Sequence, residues 1–187
     1  MAKIYHFNLY CYLWRMISCF LTRILQRRAI KRINNPHIGQ YISLNNSHRI
    51  GAVTDAEVPG SSEAAGILRN EAKRNGLEFH HLCIDLRKNA ENGDNIINRK
   101  DVNWYGIPGT EKTEQFLSKS FDILIDLSKD KRPFAVEYLM RSARSSLTIG
   151  IEPSRRQEYD IVISSSDTAV SIQHVTESII KYLTSIR

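Results

Sequence analysis

The chain predicts an α/β fold, a Rossmann-like, mostly parallel sheet of about five strands flanked by helices, behind an N-terminal basic amphipathic helix. Three observations predict it. Short apolar runs rich in Ile, Val and Leu alternate with helical periodicities from residue 48 onward, which is the pattern of βαβ units. An apolar fraction of 42% in 187 residues is enough for a real core. Finally, the charge is divided: residues 1–54 hold eight Lys or Arg and no Asp or Glu. The remainder, with 18 basic and 20 acidic residues, is slightly acidic. The overall charge of +6 therefore belongs to the N-terminal segment, and attraction to phosphate or anionic lipid is expected there.

The apolar run from Phe7 to Leu21 is interrupted by Arg15 and is short for a spanning helix, which needs about 20 mostly apolar residues. It lacks the small-residue cleavage pattern of a secretory signal. A short signal anchor stays open, because the cluster that follows has the sign of a cytoplasmic flank. From Leu21 the pattern becomes helical, with Leu21, Ile24, Leu25 and Arg28 on one face and Arg23, Arg27 and Lys31 on another. Arg15, Arg23, Arg27, Arg28, Lys31 and Arg32 are thus the candidate residues for binding an anionic surface. Packing of this helix on its own domain is the plainer alternative. Asn34-Asn35-Pro36 ends it, and residues 36–47 read as a linker to a single domain over 48–187. Met16 stands where the amphipathic pattern begins and is an alternative start of translation.

Within the domain, Arg49 to Thr54 reads as a buried strand, closed by Asp55 and a Pro59-Gly60-Ser61-Ser62 turn. A helix over 62–75 ends at Asn75-Gly76. Leu77 to Leu86 is the second strand, and residues 89–98 are a polar loop. Turn formers around two aromatics, Asp101 to Gly109, precede a helix over 110–119 capped by Thr110. Phe121 to Leu127 is the clearest buried strand. A helix over 131–143, a strand over 147–151 and a short strand over 159–163 follow. Ser166-Asp167-Thr168 caps a final helix whose stripe is Ile172, Val175, Ile179, Leu183 and Ile186.

This order, and above all the stretches Asn103-Trp104-Tyr105-Gly106 and Asp126-Leu127-Ser128, resembles a family of small α/β proteins from Bacteroidetes that also begin with a basic helix. The resemblance spans roughly residues 16–186. It implies the architecture and no activity. The piece from Phe121 through Ile151 is also similar to a strand-helix-strand unit of heptosyltransferase-type glycosyltransferases, a likeness of βαβ architecture that does not imply shared function.

In an open parallel sheet, ligands bind beyond the carboxyl ends of the strands. Asp55, Asn103, Trp104, Tyr105, Asp126 and Ser128 fall there, with Thr54, Asp85 and Glu152 nearby, and form the candidate ligand pocket, Trp104 or Tyr105 serving as a stacking wall. The competing reading has Asp126 and Ser128 capping the next helix and Trp104 plugging the core. No glycine-rich phosphate loop follows the first strand, and no nucleophile elbow appears. Cys11, Cys19 and Cys83 are odd in number and lack metal-ligand spacing. The expectation is therefore no cofactor, no metal and no catalytic residue. It describes a non-catalytic cytoplasmic protein, peripheral to the inner membrane where its partner is an anionic bilayer, or bound to RNA or a ribosomal particle. The alternative is a small enzyme or ligand-binding domain with an unidentified small molecule at the strand ends.

Overall fold

The computed structural model describes residues 3–35, 39–129, 131–163 and 170–185, with side chains from Met16 onward. In chain order the elements are α1 (Lys3–Arg32), β1 (Arg49–Asp55), α2 (Ser61–Arg74), β2 (Glu78–Asp85), β3 (Ile96–Asn98), α3 (Glu111–Leu117), β4 (Ser120–Asp126), α4 (Phe134–Ser142), β5 (Arg144–Gly150), β6 (Ile161–Val162) and α5 (Ile172–Ser185). The strands form one sheet in the order β3-β2-β1-β4-β5-β6, and every pairing is parallel. Strand order reverses between β1 and β4, the switch point of a doubly wound sheet.

A parallel sheet needs cover on both faces, and alternate residues of each strand supply two cores. On one face Ile50, Ala52, Ile123, Ile125 and Ile149 pack with Leu68 of α2 and Ile172, Ile179 and Leu183 of α5. On the other, Val53, Ile84, Phe121 and Leu124 pack with Phe116 of α3 and Val136 and Leu139 of α4. Hence the central strands read as nearly continuous apolar runs.

The sheet has six strands, one more than expected. The addition, β3, is three residues long and sits at the end of the segment read as a polar loop, held on β2 by Ile84 opposite Ile97. The apolar pair Ile96-Ile97 is too short to stand out against its Asn and Asp neighbours. Helix α1 is also longer than its amphipathic portion, running unbroken to Arg32. Of the expected caps, Thr110 precedes α3 without a side-chain bond to its backbone. Gly60, in the left-handed region at φ 81°, precedes α2. The caps expected at 166–168 lie outside the described residues, as does Ile186.

Between β1 and β2, Asn95 donates to His81 Nδ1 (3.0 Å), which leaves His81 Nε2–H to donate to Thr54 Oγ1 at 2.8 Å. Burial pushes the His81 imidazole down to about 4 from 6.5, with Arg69 adding to it. The unfolded chain therefore takes up this proton first as pH falls. Stability is held above pH 6.5 and declines toward pH 4, by at most about 1.4 kcal/mol per pH unit from this group. Urea midpoints across that range should fall less steeply in His81→Gln than in the wild type. A second outcome concerns packing. A Cβ on Gly51 would stand 2.7 Å from Leu124 Cδ1 and 2.9 Å from the Phe121 ring, so Gly51→Ala should lower stability by about 1–3 kcal/mol in urea unfolding.

Candidate functional site

Three neighbouring strands end in carboxylates: Asp55 on β1, Asp85 on β2 and Asp126 on β4. All three are buried. Asp55 Oδ1 accepts the Glu57 N–H at 2.9 Å. Burial raises the Asp55 pKa above the usual carboxylate range, and Glu57, Asp126 and Asp85 push in the same direction. Asp85 is gripped by Arg87 through two bonds of 2.8 and 2.6 Å, and chiefly that contact holds its pKa low.

Asp126 is the most heavily engaged. Its Oδ1 accepts the Ser128 N–H at 2.8 Å, and its Oδ2 accepts from Arg132 Nη1 and from the Tyr159 hydroxyl, each at 2.5 Å. Arg132 also donates to Glu158 and to the Tyr159 oxygen. The Arg132 side chain is only 2% exposed, and its Nε has no partner among the described residues. Burial disfavours the Arg132 cation, but Asp126, Tyr159 and Glu158 together raise its pKa. Burial likewise raises the Tyr159 phenol, reinforced by the adjacent Asp126 carboxylate. Gly150 leaves room for this tyrosine, since a Cβ there would stand 2.3 Å from the ring. With both oxygens of Asp126 occupied, the cluster works as a clamp tying the end of β4 to the loop before α4 and the approach to β6. Of the carboxylate's acceptor sites, Oδ2 takes two hydrogen bonds and Oδ1 takes one.

The six candidate pocket residues are thus distributed among separate tasks. Among the described residues no hydrogen bond links Asp55, Asn103 and Asp126. Asn103 Oδ1 accepts the N–H groups of Tyr105 (3.2 Å) and Ile107 (3.0 Å), organising its own loop. Trp104 does not plug the core: it is 66% exposed and meets Tyr105 edge-on at 5.3 Å. Asp126 and Ser128 form a local turn, while α4 starts later, after Pro133. A crevice of about 540 Å3 at the β1–β2 end is lined instead by Ser61, Ser62, Cys83, Asp85, Arg87 and Lys88, among others. Arg132, near Asp126 in sequence, and Glu158 and Tyr159, far along the chain, gave no signal in sequence because they lie outside any motif. Among the described residues no three His, Cys, Asp or Glu side chains gather as a metal site.

The Asn103–Gly106 loop serves α1. Gln26 Nε2 donates to the Tyr105 carbonyl at 2.9 Å, and Asn35 Nδ2 donates to the Ala143 carbonyl at 2.6 Å. Leu25, Ala29, Ile30 and Ile33 are half-buried along this docked side. The packed stripe therefore differs from the expected one: Leu21 and Arg28 are exposed. Arg23, Arg27, Lys31 and Arg32 are exposed too, and none of these five cations forms an ion pair among the described residues. The side chain of Arg15 lies outside the described residues. Met16, Ile17, Phe20 and Leu21 are 47–65% exposed. Ile17, Phe20, Leu21, Arg27, Arg28 and Lys31 share one side of the helix at 100° per residue. The outward side of α1 is therefore apolar toward its start and basic toward its end. Among the described residues no helix is long and apolar enough to cross a membrane.

Removing the Asp126 carboxylate would strand Arg132 in the core. Asp126→Ala should cost about 3–5 kcal/mol in urea unfolding, and Asp126→Ala with Arg132→Met should recover much of it. Tyr159→Phe should cost about 1–2 kcal/mol.

No curated protein and no solved structure matches the chain. The model of a family of unknown function, DUF6913, matches residues 20–186. With most of its length covered by that match, the chain belongs to this family.

Proposed function

We propose that α1 attaches the domain to an anionic bilayer surface, such as the cytoplasmic leaflet, and that the protein acts there as a non-catalytic peripheral protein. The observation that supports this reading is the exposed part of α1, on which the apolar group Met16, Ile17, Phe20 and Leu21 is followed by the exposed cations Arg23, Arg27, Arg28, Lys31 and Arg32, unpaired among the described residues. The helix rises about 1.5 Å per residue, so the apolar group precedes the middle of the basic group by roughly 14 Å. A tilted helix would place the first in the acyl boundary and the second among the headgroups. Residues 4–14 add Ile4, Phe7, Leu9, Leu13 and Trp14 and no Lys, Arg, Asp or Glu. RNA would satisfy the cations but leave the apolar group uncovered, which favours lipid.

Co-sedimentation of the full chain with vesicles tests this. Equimolar phosphatidylcholine and phosphatidylglycerol should carry the protein down, and pure phosphatidylcholine should do so much less. Binding should weaken with salt without vanishing, because burying a large apolar side chain contributes about 1.5–3 kcal/mol. Phe20→Ser with Leu21→Ser should reduce it at least about tenfold, and Arg27→Glu with Lys31→Glu should remove the preference for phosphatidylglycerol. Equal binding by wild type and both variants would overturn the reading. Binding to RNA alone, released fully by salt, would replace it with the nucleic-acid reading.

A further inference from the structure

We propose that the cavity between α1 and the outer side of α3 and α4 is a binding site for a phosphate-bearing ligand, held by Arg28, Arg32 and Arg144. The cavity measures about 560 Å3, the range of small-molecule sites. Its walls come from the end of α1, the Tyr105–Ile107 loop, the end of α3, α4 and the start of β5. A second opening of about 370 Å3 shares Asn34, Asn35 and Arg144 with it, so the two form one cleft along the seam where α1 meets the domain.

Charge is the reason to expect an anion. Three arginines from two distant parts of the chain line the cavity and no Asp or Glu does. None of the three forms an ion pair or a side-chain hydrogen bond among the described residues. Several arginines elsewhere in the domain are matched: Arg49 by Glu78, Arg87 by Asp85, Arg132 by Asp126 and Arg141 by Glu137. Arg32 near the end of α1 is favourable to the helix dipole, but that accounts for neither Arg144 nor its placement facing the same space. Like charges around one cavity repel, and an anion with several acceptor oxygens would offset all three through forked, charge-assisted bonds.

The remaining lining suits such a ligand. Tyr105, Tyr138 and Asn34 are among its lining residues, and Ser142 Oγ is buried with no hydrogen-bond partner among the described residues. An orphaned buried hydroxyl costs about 1–3 kcal/mol, and a phosphoryl oxygen within the cavity is a ready acceptor for it. The shared chemistry is a phosphate group, supplied either by a soluble molecule or by a lipid headgroup. The site stands without the surface reading, since Arg144 is off the outward side of α1, and it deepens that reading if the headgroup is the source.

Trp104 packs edge-on against Tyr105, so its emission reports on the cavity wall. The full chain carrying Trp14→Phe keeps Trp104 as its one tryptophan. It should be titrated with inorganic pyrophosphate, with micelle-free dihexanoyl phosphatidylglycerol, and with dihexanoyl phosphatidylcholine as control. A saturable change with pyrophosphate assigns the site to a soluble phosphate ligand. A change with phosphatidylglycerol alone, absent with phosphatidylcholine, assigns it to the headgroup. In either case Arg144→Ala should weaken the response at least about tenfold, and Lys73→Ala, at an exposed position on α2, should leave it unchanged. The Arg144→Ala protein should still bind anionic vesicles through α1, which separates failure of the cavity from failure of the surface reading. No saturable change with any probe, or an unchanged response in a folded Arg144→Ala protein, would overturn the inference.

Discussion

A parallel sheet is covered on both faces or it does not form, because its crossovers deposit helices there and its strands have no polar side to turn to water. The arrangement around β1 and β4 follows from that constraint. Every residue of β1 after Arg49 is buried, and the two cores divide its side chains between α2 and α5 on one face and α3 and α4 on the other. Gly51 is part of the same arrangement: Leu124 and Phe121 fill the space its side chain would take. With two helices on each face the sheet is satisfied. Helix α1 is then left over, forming an outer layer on α3 and α4 rather than part of the core.

The same topology brings carboxylates together where strand order reverses, the place where an α/β domain usually binds its ligand. Here two of the three are bound to arginine. Asp85 is closed by Arg87, and Asp126 by Arg132 and Tyr159. A buried pair of this kind contributes less to net stability than its contacts suggest, because desolvation offsets much of the attraction. Its effect is positional: it fixes the loop before α4 and the approach to β6 against the end of β4. That fixation matters to the outer layer, since α4 forms part of the platform on which α1 rests.

The strands β1, β4 and β5 and the helix α5 are legible in sequence because they bury whole runs or a whole stripe. What reads poorly has a physical cause in each case. β3 contributes two apolar residues, too few to set a period. Trp104, a large aromatic among turn formers, suggests burial by type; but Asn103 folds the loop onto itself and leaves the indole outside. Arg132 and Tyr159 meet Asp126 through tertiary geometry alone, at separations of 6 and 33 residues. For α1 the periodicity is present, but the stripe that packs is the one meeting Tyr105 and Ala143. Its identity depends on where the domain places those carbonyls, which the helix's own sequence does not encode.

The placement of cations along α1 shows why one helix can serve two contacts. All five described cations of α1 are exposed; Arg23, Arg27 and Lys31 border the opening toward α4, and Arg28 and Arg32 border the cavity that Arg144 lines. A helix meant only to cover the domain would have no use for exposed Phe20 and Leu21. One meant only for a surface would not need Gln26 and Asn35 bonded to the backbone of the domain. Docking at one end and exposure at the other fix the direction of the helix relative to the sheet. A phosphate in the seam would neutralise the arginines nearest the domain and hold α1 more firmly in that direction. The anion and the surface would then act on the same helix and share Arg28 and Arg32, with Arg144 belonging to the first alone and Phe20 to the second.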